Sequence, residues 1–362
     1  MGTHATGIAY CDVGNEIVKA INGTGHEISY VHAIQPISLT ELEKHRQRSA
    51  KSSRRGKSDV GPLAPGFVKV NGQGYVIGER AERYAVIKNT RKTGASRYNK
   101  DYYGVLVAAT LPMLFRADKV DVAFYGSHSP KDSIYRDDLM DSALGKWEVE
   151  SANGAQTFRI IAAQAFDEPM CGLMRRILRE DGKGFARTAL LKGDTLVIDI
   201  GGLTVDMVFI GAGAEFDPDA YISEDGGIIS VIDALEDAIK ATHSARFKNA
   251  GHLGKHRLRY AIRNGIYRAG GHGEIGCSEE VEQAIMPLLN QISNNFSRFG
   301  GPTEYDTIFL TGGGSGALYS HLIPILDHNN VILADPDEET IHMANVRGMS
   351  QLARWYSHQG KM

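Results

Sequence analysis

Residues 196–206 read LVIDIGGLTVD. An apolar strand runs into Asp199, and Gly201, Gly202, Thr204 and Asp206 follow it. Glycines let backbone N–H groups come close to an oxyanion, and an acid at the strand end can hold a hydrated metal ion beside phosphates. A hairpin closed by a tight Gly-Gly turn is written with the same letters. Taken alone, the stretch leaves both readings open.

A second copy lies near the N-terminus. Residues 8–21 read IAYCDVGNEIVKAI, an apolar strand ending in Asp12, with Gly14 two residues on and another apolar run behind it. Asp12-Val13-Gly14 and Asp199-Ile200-Gly201 stand roughly half a chain apart, as duplicated α/β halves facing one nucleotide require. The third element is residues 307–316, TIFLTGGGSG, where a buried strand opens into Gly312, Gly313 and Gly314. The pattern predicts a helix over 317–326. Bare backbone at the glycines can lie against a flat ring or a phosphate, with the positive end of the helix nearby. The alternative is a glycine-rich strand-to-helix loop, which the order of the three elements disfavours.

Taken in order, these elements resemble the two phosphate hairpins and the adenosine motif of the actin and heat-shock-chaperone ATPase superfamily, over nearly the whole chain. Length, short connections and residues 91–112 (RKTGASRYNKDYYGVLVAATLP) are most similar to the bacterial and archaeal plasmid-segregation actin-like proteins of the ParM type. The resemblance implies an α/β, actin-like two-domain fold of duplicated ribonuclease H-like halves, with a nucleotide cleft between the domains. It implies ATP or ADP with Mg²⁺ in that cleft, ATPase activity, and ATP-bound subunits that assemble into a homopolymer filament of the cytoskeleton. If the protein is of the plasmid-partition kind, it also implies a small adaptor bound to centromere-like DNA.

The match can be carried over residue by residue. Asp12 and Gly14 fit the first phosphate motif, Asn15 follows them in the turn, and Lys19 falls where the family often has a lysine. Family members place Ser, Thr or Asn in the first turn after the glycine. This chain has Asn15, Glu16 and Ile17, and Glu16 suits a triphosphate only if it faces away. Asp199, Gly201, Gly202, Leu203, Thr204 and Asp206 fit the second motif, and Gly312, Gly313 and Gly314 fit the adenosine motif with Ser315 as a hydrogen-bonding neighbour. By resemblance, Asp12 and Asp199 hold Mg²⁺ through water while the hairpin N–H groups cradle phosphates.

Cleaving a phosphoanhydride with water requires a group that orients the water in line with the leaving phosphate. Residues 162–174, AAQAFDEPMCGLM, contain Glu168-Pro169. Related ATPases often have Glu-Pro at this point, so Glu168 is the expected catalytic residue together with Asp199, and Asp167 and Gln164 stand in reserve. A helix start enriched in acids, with Pro169 at its first position, is the alternative.

Near the C-terminus, residues 335–338 (Asp-Pro-Asp-Glu) predict a helix start, Asp335 as N-cap and Glu338 completing a capping arrangement. Ala344 and Gly348 in that helix permit close packing. The resemblance makes it the segment that returns the chain to the first domain. The expected boundaries are therefore residues 1–165 plus 336–362 for the first domain and 166–335 for the second. A smaller subdomain over about 35–95 carries the basic run of residues 44–57, KHRQRSAKSSRRGK. That run has no interleaved aromatic to stack on bases, and it is read as a solvated loop that tunes filament contacts. Residues 227–241, GIISVIDALEDAIKA, predict an amphipathic helix.

Composition narrows the classes further. A net charge of -3 disfavours a global nucleic-acid binder or a membrane-surface protein. No apolar window is long enough to span a bilayer and no signal-peptide core is present, so a cytoplasmic location is expected. Cys11, Cys171 and Cys277 are far apart and odd in number; Cys11 and Cys171 read as buried reduced thiols. His252, His256 and His272 lack a zinc spacing, and no transition-metal site is expected. Two other classes use the same hairpins. One is a small-molecule kinase with Asp206 as base, and the other is a non-polymerising, ATP-gated scaffold or regulator.

Overall fold

A computed structural model describes residues 3–52, 66–84, 96–247, 251–270, 273–335, 337 and 340–361. The chain divides into two compact units, Met1–Asp167 and Glu168–Met362.

In the first unit, β1 (His4–Val13), β2 (Ile17–Asn22), β3 (Glu27–Val31) and β4 (Ile34–Ile37) precede helix α1 (Leu39–Ser52). Then follow β5 (Phe67–Val70), β6 (Gln73–Ile77), α2 (Glu79–Tyr84), α3 (Val105–Leu114), β7 (Lys119–His128), α4 (Arg136–Ala143), β8 (Gly145–Ser151) and β9 (Gly154–Asp167). Among the described residues these strands form a nine-stranded sheet in the order β3-β2-β1-β7-β9-β8-β5-β6-β4. Alternation sets its inner face: Ala9, Cys11 and Val13 of β1 join Val120, Val122 and Phe124 of β7 and Phe158 and Ile160 of β9 in one core. Helix α3, VLVAATLPML, is apolar on all sides and is buried nearly throughout, as such a helix must be.

The strands after β4 extend the same sheet, and Ile37, Leu42, Phe67, Val76 and Ala81 form a small core of their own. Here the structure corrects the expected loop. Residues 44–52 of the basic run lie in α1, whose Leu42 is buried and whose Arg46 pairs with Glu150 of β8 at 2.5 Å and with Glu43 at 3.3 Å. Residues 53–57 lie outside the described residues, as do 91–95 of the segment that carries part of the resemblance.

The second unit contains α5 (Glu168–Ile177), β10 (Thr195–Ile200), β11 (Thr204–Gly211), β12 (Glu215–Asp225), α6 (Ile228–Thr242), α7 (Ser244–Phe247) and α8 (Lys255–Asn264). A short hairpin of β13 (Ile266–Arg268) and β14 (Glu274–Gly276) leads to α9 (Ser278–Arg298), β15 (Thr307–Thr311), α10 (Gly313–Leu326), β16 (Val331–Leu333) and α11 (Ala344–His358). Its sheet runs β12-β11-β10-β15-β16.

That order repeats β3-β2-β1-β7-β9 strand for strand. In each unit the hairpin strands pair antiparallel, the third strand joins antiparallel at the outside, and two further strands add in parallel on the other side. The duplication inferred from two Asp-x-Gly copies is thus a duplication of topology.

Helix α6 lies where its pattern predicts and buries Ile228, Val231, Ile232, Leu235 and Ile239 in the core of the unit, packed on α9 and α8. Helix α10 begins at Gly313, four residues before the expected 317, so two of the three glycines form its first turn. Helix α11 begins later than expected, at Ala344, after a 3-10 turn at Ile341–Met343. Asp335 accepts from the Asp337 N–H at 3.3 Å, and its other carboxylate oxygen takes Arg347 Nη1 at 2.7 Å. It therefore closes a turn instead of capping the helix; Pro336 and Glu338 lie outside the described residues.

Helix α11 packs on α5 within the second unit. A Cβ on Gly348 would stand 1.7 Å from the Cys171 carbonyl oxygen, so the two backbones are in contact there. Cys11, Cys171 and Cys277 are all buried thiols outside any disulfide among the described residues. Among the described residues no helix is long and apolar enough to cross a membrane.

Candidate functional site

Each unit carries candidate residues at the carboxyl ends of its parallel strands, the edge where open α/β sheets bind ligands. In the first unit β1 delivers Asp12, fully buried, to the mouth of the hairpin. Lys19 is its direct partner across β1–β2 and places Nζ 2.7 Å from Asp12 Oδ2. Asp12 Oδ1 and Asn15 Oδ1 are buried and have no hydrogen-bond partner among the described residues. A buried oxygen in that state calls for a ligand, and oxygen donors suit a hard cation and its waters.

The hairpin turn is tied down from behind. His32 Nδ1 meets the Gly14 carbonyl at 2.5 Å, the His32 N–H donates to the Glu16 carbonyl at 2.7 Å, and Arg97 Nη2 donates to the Val13 carbonyl. A carbonyl only accepts, so His32 carries a proton on Nδ1, and in the neutral ring Nε2 accepts from the Tyr102 hydroxyl at 2.9 Å. Asp132 stands 3.7 Å from Arg97 Nη1 and accepts from Tyr98 OH at 2.9 Å. His32, Arg97 and Tyr102 are buried and were not anticipated from sequence, because the bonds join residues 18, 84 and 70 positions apart.

At the ends of β7 and β9, buried His128 donates from Nδ1 to the Ser129 carbonyl at 3.1 Å and lies 3.5 Å from Asp167 Oδ1. Burial pushes the Asp167 carboxyl above the usual carboxylate range, against the opposing pull of His128 and Arg136. Gln164 is half-buried on β9, opposite Tyr125. Glu168, the first residue of α5 and half-buried, belongs to the second unit, with Pro169 in the same first turn.

In the second unit Asp199 ends β10 and is the direct cross-strand partner of Asp206 on β11. Both carboxylates are buried, and like charges directly opposite are unfavourable without compensation. Thr204 Oγ1 donates to Asp206 Oδ2 at 3.1 Å and Ser223 Oγ to Oδ1, while Asn345 Nδ2 donates to Asp199 Oδ2 at 2.9 Å. Neutral donors of this kind leave negative charge that a hydrated dication complements. Among the described residues no group of three or more His, Cys, Asp or Glu side chains is arranged to hold a metal, so water would have to supply most of the coordination.

The adenosine-type glycines adjoin this hairpin. Gly312 has φ +83°, and a Cβ there would come 2.2 Å from Asp199 Oδ1; a Cβ on Gly314 would come 2.5 Å from Ile200 Cγ2. Gly313 opens α10, and Ser315 is buried with its hydroxyl donated to the Thr311 carbonyl. The turn Gly201-Gly202-Leu203 is met by the start of α6 and by Gly226 ahead of it: Gly226 N–H bonds the Leu203 carbonyl at 2.8 Å, and the Ile228 and Ile229 N–H groups bond the Gly201 and Gly202 carbonyls, each at 3.0 Å. Gly226 and Gly227 lie where a turn between two apolar segments would put them, which is the one hint the sequence carries.

No family model and no curated protein matches the chain. Solved structures do. The actin-like protein Alp7A aligns over 99% of this chain and 98% of its own at a TM-score of 0.71 and 16% identity. A 15-stranded ParM filament from Clostridium botulinum aligns over 96% and 99% at 0.67 and 18%. The archaeal actin homologue Ta0583, in complex with ADP, aligns over 96% and 99% at 0.68 and 16%. At these identities the likeness concerns the fold, and it extends over almost the entire length of every partner: the chain has the α/β, actin-like fold of the ParM type.

Proposed function

We propose that this protein binds ATP with Mg²⁺, hydrolyses ATP, and polymerises into filaments whose stability follows the nucleotide state, in the service of plasmid segregation. The observation that carries the nucleotide reading is the repeat: each unit sets a buried aspartate and a glycine turn at the same place in the same five-strand motif. The ADP complex of Ta0583 and the ParM filament are properties of those neighbours that support the same reading here.

In this reading Asp12 and Asp199 hold hydrated Mg²⁺, which supplies charge neutralisation at the phosphates. Gly14, Asn15, Lys19, Gly201, Gly202, Leu203 and Thr204 line the phosphates, and Gly312, Gly313, Gly314 and Ser315 lie along the nucleoside. Glu168 orients the attacking water. The domains are proposed as residues 1–165 with 336–362 and residues 166–335, closing on the nucleotide, in a cytoplasmic protein whose partner would be an adaptor on centromere-like DNA.

The kinase alternative is weaker, because both carboxylate oxygens of Asp206 already accept hydroxyl donors, from Thr204 and Ser223. Sedimentation with and without ATP and Mg²⁺ tests the filament. Pelleting that depends on ATP and persists with a non-hydrolysable analogue supports it, while protein that stays in the supernatant over a wide concentration range rejects it. Asp199→Ala is expected to abolish Mg²⁺-dependent ATP binding.

A further inference from the structure

Thr311, Asn345 and Asp199 form a single chain of buried side-chain hydrogen bonds. Thr311 Oγ1 donates to Asn345 Oδ1 at 2.8 Å, and Asn345 Nδ2 donates to Asp199 Oδ2 at 2.9 Å. A carboxylate only accepts, so the amide has one possible orientation, and its oxygen commits the threonine hydroxyl as donor. The three residues are 0%, 4% and 2% exposed, so no solvent compensates a lost bond.

Two glycines close the arrangement. A Cβ on Gly172 of α5 would meet Thr311 Oγ1 at 2.5 Å and Asn345 Oδ1 at 2.8 Å, and one on Gly312 would meet Asp199 Oδ1 at 2.2 Å. The ends of β10 and β15, the first turn of α11 and the body of α5 thus meet along this chain of hydrogen bonds, which ends on the Asp199 carboxylate.

We propose that Asn345 is the positioning residue for Asp199. It holds the carboxylate in the rotamer that meets the hydrated cation of a bound nucleotide, and through it the first turn of α11 sets cation affinity. This rests on the nucleotide reading above. Terminal carboxylate torsions are broad and settle only when a partner fixes them, and partners one step behind a metal-facing group commonly alter metal affinity 10- to 100-fold. A purely structural amide would instead change folding stability and nucleotide affinity together, whatever the cation concentration.

The test uses the full chain as wild type, Asn345→Ala and Thr311→Val. A fluorescent ATP analogue is titrated in EDTA and at a series of Mg²⁺ concentrations, with thermal unfolding confirming that each variant is folded. Asn345→Ala is expected to raise the Mg²⁺ concentration for half-maximal nucleotide binding by roughly tenfold or more, leaving affinity in EDTA unchanged. Thr311→Val keeps the side-chain shape and removes the hydroxyl; it shifts the Mg²⁺ requirement the same way by less, and it decides the matter if Asn345→Ala does not fold. A wild-type Mg²⁺ requirement in the folded variants, or an equal loss in EDTA, overturns the role of Asn345 alone. A wild-type protein that binds no nucleotide at any Mg²⁺ concentration overturns the nucleotide reading itself, and this role with it.

Discussion

Lys19 Nζ lies 2.7 Å from Asp12 Oδ2, and the two residues face each other across the first hairpin. The aspartate side chain is wholly buried and the lysine 12% exposed. The ammonium is therefore the close counter-charge of a carboxylate held away from water, and Asp12 Oδ1 has no hydrogen-bond partner among the described residues.

Removing one partner of a buried pair strands the other, at a cost of about 3 kcal/mol or more. Lys19→Met is expected to lower stability by about that amount in urea unfolding. Asp12→Asn should cost less, because the lysine stem can swing its charge toward solvent. Equal losses in the two variants, or none, would show that the pair does not hold the hairpin.

The contact between α5 and α11 allows a sharper steric test. A Cβ on Gly348 would stand 1.7 Å from the Cys171 carbonyl oxygen, whereas nothing lies within 4 Å of one built on Gly276. Backbone cannot give way as a flexible side chain can. Gly348→Ala is expected to destabilise by at least about 3 kcal/mol, or to prevent folding, while Gly276→Ala stays within about 0.5 kcal/mol of wild type. A thermal melt of the two variants settles it, and similar melting points would contradict the packing described.

What the sequence made legible, and what it did not, follows from the range of each interaction. Asp199, Gly201 and Gly312 stand out because strand periodicity and missing side chains are written locally, and α6 because its apolar stripe repeats within one segment. His32, Arg97 and Asn345 did not stand out as site-forming, since their roles depend on bonds to residues 18, 84 and 146 positions away. Helix ends were misjudged for a related reason. The start of α10 is set by Gly312 at φ +83° pressed against Asp199, and Asp335 is engaged by Arg347 and so does not cap α11. In α1, a run of basic residues looked like loop because one of the two acids that pair with Arg46, Glu150, lies far along the chain in β8.

The cysteines make a prediction about reactivity. Burial pushes the Cys11 thiol far above its ordinary pKa, with the charge of Asp12 adding to it, and burial likewise raises Cys277. The thiolate is the reactive species. All three cysteines are buried, so none is expected to react with a chromogenic disulfide reagent at neutral pH in the native protein, and all three should react in guanidinium. Rapid labelling of any one in the native state would contradict its burial.

Asp167 carries a pH dependence whose sign is fixed. Burial raises its carboxyl pKa in the folded state, against His128 and Arg136. A raised folded-state pKa contributes stability below the unfolded value, and that contribution is lost as pH rises through the folded value. Upward from about pH 4, wild type should therefore lose stability relative to Asp167→Asn until the carboxyl is fully ionised. Urea midpoints measured across that window should diverge and then run parallel; a constant offset would mean that burial does not act on the charge of Asp167.

Glu168 and Asp167 are neighbours in sequence yet meet different surroundings, and that separates their roles. Asp167 ends β9 beside His128, whereas Glu168 opens α5; both are half-buried. A carboxyl whose ionisation is opposed by burial is the poorer acceptor of a hydrogen bond from water, which counts against Asp167 as the group that orients it. Glu168→Gln is expected to slow ATP hydrolysis by about 100-fold or more with nucleotide binding retained, and Asp167→Asn to retain most of the rate. Single-turnover hydrolysis, run beside equilibrium binding of the same nucleotide, distinguishes the two; the reverse pattern would transfer the water-orienting role to Asp167, and unchanged rates in both would remove the pair from the hydrolytic step.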